Sequence, residues 1–303
     1  QALWIQTNAG SILHTGDWKI DLDPVVGPPL IRADFAALAE ESVLAMVCDS
    51  TNALNPGHSI SEGALFEGLK TLAADAPGRV VVGCFGSNIA RLHTLVSVAA
   101  ETGRYAGVLG RSLNNYLQAA RQARLWDKNL SVIDASHLGY LPPQEVLAIA
   151  TGSQGESGAA LSRLAADTHP DLSLQPGDTV ILSARVIPGN EIALAALLDR
   201  LRNRGVHVIS DDSLNFPIHA SGHPCQDELA VMYCWVKPKI AIPVHGEVLH
   251  MAANAELAER SGVPRSFTGE NGDLFMLAPV PGMRRGFAGV GRLGYDRGRL
   301  SKI

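Results

Sequence analysis

Short apolar runs alternate along this chain with longer segments of helical periodicity, and small polar residues separate the two. Residues 80–85 form such a run, followed by Gly-Ser-Asn and a helical pattern that continues to about Ala100. Val146–Ala150 precedes TGSQGE, and residues 179–183 precede ARVIPGNE and the helical segment IALAALLDRLRNR. A repeated strand–loop–helix order is typical of an α/β protein whose strands are largely parallel.

Further elements follow from the same two patterns. Ser61 is expected to cap a helix that ends near Ala74, because it precedes a run with helical apolar spacing. Another helix is expected over residues 249–261. The other predicted strands are residues 11–14, 43–48, 206–209 and 239–244, and the Gly- and Arg-rich tail from Pro281 is expected to be irregular.

The composition limits what the chain can be. Its 303 residues are 46% hydrophobic and 18% charged, which is enough to bury the cores of two domains. No run of about eighteen apolar residues is present to cross a bilayer, and a net charge of −5 argues against a protein that coats nucleic acid with a broadly basic surface. The cysteines lack C-x-x-C spacing, which indicates reduced, mostly buried thiols in a cytoplasmic protein. They are Cys48, Cys84, Cys225 and Cys234.

Three predicted strand-to-helix junctions place small polar residues and unpaired backbone N–H groups at a helix N-terminus. The helix dipole favours an anion there, and open α/β sheets bind ligands at the carboxyl ends of their strands. Each junction taken alone is more often an ordinary cap or turn, whereas three on one sheet favour a phosphate-rich ligand. The candidates are Ser87 and Asn88, then Gly152, Ser153 and Gln154, then Ser183, Gly189 and Asn190.

Histidine and aspartate residues stand at or near the ends of predicted strands. His219 and His223 lie in HASGH, after a strand-and-loop passage. His245 ends the strand in IPVHGE, and Asp17 follows a strand in HTGDWK. Imidazole and carboxylate groups in these positions suit a metal site. His14 could hydrogen-bond to one of the metal ligands without binding the metal itself. For any single histidine, a structural role is the alternative.

Other catalytic patterns are absent from the sequence. It contains no G-x-S-x-G elbow, no Walker loop and no strand-led G-x-G-x-x-G fingerprint. A serine hydrolase of the α/β type is therefore not expected, and neither is a protein that binds nucleotides through either of these loops.

Seven motifs together resemble the ribonuclease J family. They are HTGDWKID, CDSTNA, FGSNIARL, TGSQGE, IPGNE, HASGH and KPKIAIPVHGE, and the resemblance extends to about Leu277. It implies an α/β fold: a partial metallo-β-lactamase αββα sandwich interrupted by an inserted β-CASP domain with a doubly wound parallel sheet. The implied boundaries are 1–57 for the first part of the sandwich, 58–215 for the β-CASP domain, 216–280 for the return segment and 281–303 for a linker or tail.

The resemblance also implies roles for individual residues. Asp17 matches a carboxylate that bridges two metal ions, usually zinc, and His245 matches the last metal-ligand histidine. His223 matches a catalytic histidine beside the scissile phosphate, with His219 as its neighbour in the motif and Asp49 as an acidic active-site position. The pocket for RNA phosphates, including a 5′ monophosphate, is expected at Ser87, Asn88, Ser221 and Gly222, with Ser153 and Asn190 from the junctions above.

The implied activity is metal-assisted hydrolysis of RNA phosphodiesters, with 5′-to-3′ exonuclease and endonuclease action in RNA processing and decay. Two cations would acidify a shared water and stabilise charge on the phosphoryl oxygens. His223 would stabilise the phosphate or protonate the leaving oxygen. The implied partner is RNA, with no membrane, and the implied full-length protein is a cytoplasmic homo-oligomer.

The sequence departs from the family pattern at the metal site. The HxHxDH motif and a further ligand histidine expected before GDWK are absent, so Asp17 and His245 remain and are too few for a zinc pair. The chain is therefore expected to be a fragment of a longer nuclease, inactive alone, whose C-terminal domain would follow its last residue. The alternatives are an RNA-binding remnant without catalysis, and another hydrolase of this fold that acts on a small phosphodiester or a thioester.

Overall fold

The computed structural model describes residues 1–211, 214–296 and 298–302. Its strands are β1 Leu3–Thr7, β2 Gly10–His14, β3 Val43–Asp49, β4 Val80–Gly83, β5 Tyr105–Leu109, β6 Val146–Ala150, β7 Thr179–Leu182, β8 His207–Ser210, β9 Ile240–Val244, β10 Leu274–Met276, β11 Gly282–Arg284, β12 Leu293–Asp296 and β13 Arg299–Lys302. Its α-helices are α1 Arg32–Ala36, α2 Phe66–Asp75, α3 Ile89–Glu101, α4 Arg111–Gln122, α5 Ala160–Ala165, α6 Glu191–Asn203, α7 Gln226–Val236 and α8 Val248–Arg260. Short 3₁₀ helices lie at Ala37–Glu41, Gly63–Leu65, Ala135–Tyr140 and Pro143–Glu145.

Contacts divide the chain into two compact units. The first unit consists of Gln1–Ile20, Leu30–Ser59 and Gly222–Ile303, and the second of Asp21–Pro29 and Ile60–Ser221. The second unit therefore also takes a short segment from before β3, which the sequence patterns do not single out. Arg297 and Ile303, which belong to the predicted tail, lie outside the described residues.

The first unit is built on a sheet in the order β1-β2-β3-β9. The β1 strand is antiparallel to β2, whereas β2, β3 and β9 are parallel. The pairing of β2 with β3 shifts its register between Ser11 and Ile12. With this shift, Val43, Met46 and Cys48 of β3 lie on the face that packs against α7 and α8. The opposite face carries a smaller apolar cluster around Ala45, Ile240 and Ile242. Since β2, β3 and β9 are parallel neighbours, their carboxyl ends meet at one edge of this sheet.

The second unit is built on a parallel sheet in the order β5-β6-β4-β7-β8. Successive side chains of a strand point to opposite faces, so fully apolar strands such as Val146–Ala150 must be covered on both sides. Helices α2, α3 and α4 cover one face and α5 and α6 the other. This is the doubly wound arrangement implied by the family resemblance.

Most of the predicted elements are confirmed within one or two residues, including β3, β4, β6, α3, α6 and β9. The prediction that Ser61 caps a helix is wrong. Its hydroxyl instead donates to the Asp21 carboxylate and to the Asp23 carbonyl at 2.8 Å, and α2 begins only at Phe66. Likewise the tail is not irregular throughout, because β11 pairs with β10 and β12 pairs with β13.

None of the helices in the described ranges combines the length and the apolar character that a bilayer crossing requires. The sequence prediction that no apolar run spans a membrane agrees with this finding.

Candidate metal centre

Three side chains of the first unit meet at the carboxyl edge of its sheet. Asp17 follows β2, His245 follows β9, and His223 precedes α7. Each offers one ligand atom, and these atoms all lie within 4.8 Å of one another. The Nε2 atom of His245 is 3.5 Å from Oδ1 of Asp17, and the rings of His223 and His245 have centroids 5.3 Å apart. The cluster is therefore compact enough for a single cation to contact all three residues.

The members of the cluster differ in their exposure. The side chains of Asp17 and His245 are 63% and 55% exposed, and that of His223 is 23% exposed. His245 adopts a left-handed backbone conformation with φ of 57°, and its carbonyl oxygen lies 2.9 Å from the Thr51 hydroxyl oxygen. Asp17 and His245 thus face solvent, where a cation and a substrate have access, while His223 is held from the protein side.

His223 is oriented by Asp49, the last residue of β3. Its Nδ1 lies 2.6 Å from Oδ2 of Asp49, whose side chain is 1% exposed. The backbone N–H and the hydroxyl of Thr51 donate to the other oxygen, Oδ1, at 2.9 and 2.8 Å. Such a carboxylate favours the tautomer protonated at Nδ1, which turns the Nε2 lone pair away from Asp49.

The electrostatics of His223 combine opposing effects. Burial lowers its pKa, but the hydrogen bond with Asp49 and the negative charges of Asp49 and Asp17 together raise the pKa above the ordinary value. The positive form of this imidazole is stabilised by the same carboxylates that position it.

A buried polar network supports Asp49 from behind. The amide of Asn254 donates to the Asp49 carbonyl at 3.1 Å and to the Ser50 hydroxyl at 2.9 Å. The Tyr233 hydroxyl in turn donates to Asn254 at 2.8 Å. Beside them, burial raises the pKa of the Cys48 thiol to about 12, so this sulfur is not a thiolate ligand at neutral pH. All four cysteines are free, as the sequence predicts, and three of them are buried.

The donor set fits a metal ion such as zinc. A carboxylate and two imidazoles are ligands that zinc takes, and three protein ligands with one open position are typical of a catalytic zinc site. The structure brings His223 beside the predicted ligands Asp17 and His245. Among the residues that the structure describes, these three side chains are too few to hold the predicted pair of ions.

His219 belongs to the second unit and has its own surroundings there. Its Nδ1 is 3.5 Å from Nη1 of Arg91. Burial, followed by the positive charge of Arg91, lowers the pKa of His219 to about 4. This imidazole is therefore neutral at pH 7, which differs from the electrostatics of His223.

The structure reveals a buried ion pair that sequence reasoning missed. Arg91 is 1% exposed, and its Nε and Nη2 each lie 3.1 Å from an oxygen of Glu62. Nη1 donates to the Ser183 carbonyl at 2.9 Å, and Nη2 to the Ala220 carbonyl at 3.4 Å. A signal existed, since Arg91 falls among apolar residues on the inward side of a predicted helix. Its partner lies 29 residues away and could not be identified from spacing.

The predicted phosphate-binding residues fall into distinct surroundings. The Asn88 side chain caps α3 by accepting from the Arg91 N–H at 2.9 Å and also donates to Glu62 at 3.2 Å. Ser87 beside it is exposed, whereas Ser153 is buried. The second-unit chain segment ends at Ser221, which is half-buried, and Gly222 is exposed in the first unit.

Asn190 does not make the side-chain cap that its position suggests. Its amide instead approaches Oε1 of Gln154 at 3.4 Å, and the same oxygen accepts from the Ile187 N–H at 2.8 Å. The Gln154 amide donates to the Arg185 carbonyl at 2.9 Å. The Gln154 side chain therefore connects the loops that follow β6 and β7 by hydrogen bonds.

Comparison with known proteins matches both units to named families. Residues 77–201 match the family described as ribonuclease J, β-CASP domain, and residues 216–266 match the Zn-dependent metallo-hydrolase RNA specificity domain. The fold is also similar to the crystal structure of a protein of unknown function from Enterococcus faecalis V583, with a TM-score of 0.57 and 15% identity over 89% of this chain and 59% of that one. The fold and the two family segments identify the chain as a protein of the β-CASP class with an RNA specificity domain of the metallo-hydrolase type.

Curated relatives narrow the assignment. Ribonuclease J of Sinorhizobium meliloti is 43% identical over 280 residues, which is 92% of this chain and 49% of that protein. The Mycobacterium tuberculosis H37Rv protein of the same name is 37% identical over 300 residues, 97% of this chain and 53% of that protein. The corresponding Helicobacter pylori J99 protein is 39% identical over 92% of this chain. The chain belongs to the ribonuclease J family, and it spans about half the length of the curated relatives it matches.

The family assignment confirms the predicted fold class and the predicted need for a metal cofactor. The identity of the ion, the number of ions and the roles of the individual site residues stay predictions.

Proposed function

We propose that this chain carries the β-CASP part and a share of the metal centre of a metal-dependent ribonuclease that hydrolyses RNA phosphodiesters. The observation that carries the proposal is the convergence of Asp17, His223 and His245 in a chain of the ribonuclease J family. The activity is assigned to the whole protein, in both 5′-to-3′ exonuclease and endonuclease modes. The family relationship favours this function over an RNA-binding remnant or a hydrolase of small phosphodiesters.

The cation is proposed to be zinc, held by Asp17 and His245 in this chain, with two ions in the whole protein. When bound, a divalent cation supplies a Lewis acid for phosphoryl oxygens and acidifies water. Asp17 and His245 are exposed at the same sheet edge, so they are open to both ion and RNA. One carboxylate ligand cancels one of the two positive charges of a divalent cation and an imidazole ligand cancels none, so a bound cation would keep a net positive charge for the phosphate.

His223 is proposed to act on the scissile phosphate, by stabilising its charge or protonating the leaving oxygen. Asp49 fixes the ring through the 2.6 Å hydrogen bond and so keeps Nε2 in a constant direction. His219 is neutral at pH 7. We propose that it takes part in the reaction as a hydrogen-bonding group and not as a positive charge.

RNA phosphates are proposed to bind through Ser87 and Asn88, and Ser221, Gly222, Ser153 and Asn190 are proposed as further phosphate-binding residues. The Asn88 side chain already caps α3, so it would act indirectly, by positioning the first turn of that helix. The remaining backbone N–H groups of this turn favour an anion. A cytoplasmic location and a homo-oligomeric full-length protein complete the proposal.

The experiment measures zinc content and RNA cleavage separately, using the full-length protein that the gene encodes. Asp17→Asn and His245→Ala are expected to lose zinc and cleavage of 5′-monophosphorylated RNA together. His223→Ala is expected to retain zinc and lose cleavage, because its role is on the phosphate. His207→Ala, which removes an exposed histidine on β8, is the matched control. Undiminished cleavage in the Asp17 and His245 variants would contradict the assignment.

A further inference from the structure

A cavity of about 640 Å³ lies at the carboxyl ends of β5 and β6 in the second unit. Its volume falls in the range of roughly 300–1,000 Å³ typical of small-molecule sites. The two strands are neighbours, but α4 leaves β5 toward one face of the sheet and α5 leaves β6 toward the other. A crevice opens where helices depart in opposite directions, and open α/β sheets bind ligands at such points.

The charges on the cavity lining favour an anion. Arg111 and Arg163 both line it, and Asp171 is the one acidic residue among the described lining residues. Arg163 donates to the Thr168 carbonyl at 3.2 Å, and within the described part of the chain neither arginine forms an ion pair with a carboxylate. Two arginines without carboxylate partners give this cavity a positive excess in a chain whose net charge is −5.

The backbone at the cavity also favours an anion. Helix α4 is capped by Gly110, which offers no side-chain acceptor to the first-turn N–H groups. Gly110 has a φ of 132°, and a Cβ there would lie 2.4 Å from the Thr151 hydroxyl, so a side-chain cap is sterically excluded. The first turn therefore presents unpaired N–H groups and the positive end of the helix dipole on the side of the two arginines.

A buried histidine completes the lining. The side chain of His169 is only 6% exposed, and its Nδ1 accepts from the Asp171 N–H at 3.3 Å. Burial lowers the pKa of His169, more than the opposing charge of Asp171 raises it, so the ring is neutral at pH 7. Because Nδ1 is the acceptor, the proton is on Nε2, for which no described residue provides a hydrogen-bond partner.

We propose that this cavity, which is formed by residues of the second unit alone, is a binding site for a phosphomonoester of nucleotide size. The arginines and the first turn of α4 would hold the phosphate, and apolar residues such as Val108 and Pro170 would contact the rest of the ligand. The proposal does not depend on ribonuclease activity, because every residue it uses lies in the second unit.

The test is isothermal titration of the full chain with adenosine monophosphate, adenosine and inorganic phosphate, in EDTA so that no metal contributes. Adenosine monophosphate is expected to bind with one site per chain, at least tenfold more tightly than adenosine or phosphate. Arg111→Gln and Arg163→Gln are each expected to weaken binding at least fivefold. Arg121→Gln, which changes an exposed arginine at the far end of α4, is the matched control and is expected to bind like the unaltered chain.

A further variant separates binding from folding. Ser112→Asp places a carboxylate in the first turn of α4, where it suits the helix dipole but repels a phosphate. It is expected to leave the melting temperature unchanged or higher and to abolish binding. Absence of binding by the unaltered chain at millimolar ligand, equal affinity for phosphate and nucleotide, or binding that survives all three cavity substitutions would each overturn the proposal.

Discussion

The buried carboxylate of Glu228 accepts two hydrogen bonds from Ser59, one from its backbone N–H at 2.7 Å and one from its hydroxyl at 2.8 Å. The same carboxylate accepts from the N–H groups of Ile20 at 2.7 Å and Cys225 at 2.9 Å. Ile20 and Ser59 are the residues at which the chain leaves the first unit, and Cys225 follows closely on its return. One side chain of α7 thus joins three separate segments of the first unit.

Removal of this carboxylate should destabilise the first unit strongly. Glu228→Ala leaves four donors without their acceptor, one of them buried and three partly buried. A fully buried donor without a partner costs about 1–3 kcal/mol. We expect the free energy of unfolding to fall by about 3 kcal/mol, less than four full penalties, because water reaches the partly buried donors. Urea titration followed by tryptophan fluorescence checks this, because Trp4, Trp18 and Trp235 lie in the first unit.

Glu256→Ala is the control for that measurement, because Glu256 is an exposed acid on the neighbouring helix α8. Its urea midpoint should match that of the unaltered chain. Equal midpoints for the Glu228 and Glu256 variants would show that the four hydrogen bonds contribute nothing to stability.

The Asp49 carboxylate should determine the tautomer of His223. Asp49→Asn keeps the size of the side chain but removes the charge of the carboxylate whose Oδ2 lies 2.6 Å from Nδ1 of His223. We expect RNA cleavage to fall by about 10–100-fold, the usual effect of losing a carboxylate that orients a histidine of a metal site. In nitrogen-15 NMR spectra of the metal-free protein, the slowly exchanging Nδ1 proton of His223 should be lost in the variant.

Asp34→Asn, an exposed substitution on α1, is the comparison and should leave both the proton signal and the cleavage rate unchanged. A persistent Nδ1 signal in the Asp49 variant would mean that another group orients the ring.

His219 should make the second unit sensitive to mild acid. Its pKa is about 4 in the folded chain because of burial and then Arg91, and about 6.5 when unfolded. The unfolded state therefore takes up this proton first as pH falls, so the stability is complete above pH 6.5 and is lost between pH 6.5 and 4. The full loss from this one group is up to about 3 kcal/mol.

Replacement by His219→Gln removes that titration and keeps a polar side chain beside Arg91. Circular dichroism melts between pH 7.5 and 4.5 should show a smaller fall in melting temperature for the variant than for the unaltered chain. Parallel curves would show that His219 contributes no pH dependence, because the variant differs from the unaltered chain only at this residue.

The positions of Asp17 and His245 near strand ends could be predicted from the sequence. Asp17 follows β2 shortly and His245 follows β9 directly, and parallel strands bring their carboxyl ends to one edge. Their role as metal ligands stays a prediction. From its motif alone, His223 could be given a role only at the scissile phosphate. Its closeness to Asp17 and His245 depends on where the chain returns to the first unit. The Asp49 contact spans 174 residues and has no local signature.

The loop after β6 shows why some helix boundaries could not be predicted. The repeated strand–loop–helix order predicts a helix directly after TGSQGE, yet α5 begins only at Ala160. Gly152, Gly155 and Gly158 all have positive φ, so the backbone turns repeatedly before a helix can start. These turns bring Gly155 against the backbone of α6, a tertiary contact that no periodicity encodes.

The close contact of Gly155 with the backbone of α6 can be tested with a matched pair of glycine substitutions. Gly155 and Gly158 have the same φ of 78°, but a Cβ at Gly155 would lie 2.6 Å from the carbonyl carbon of Ala193, whereas one at Gly158 meets nothing within 4 Å. Gly158→Ala should cost about 1 kcal/mol for the left-handed backbone alone. Gly155→Ala should cost a further 1–3 kcal/mol or so, because backbone atoms of α6 must move. Urea unfolding followed by circular dichroism measures both, and hydrogen exchange should show faster opening of α6 only in the Gly155 variant. Equal losses of stability would mean that the loop can shift away from α6 without cost.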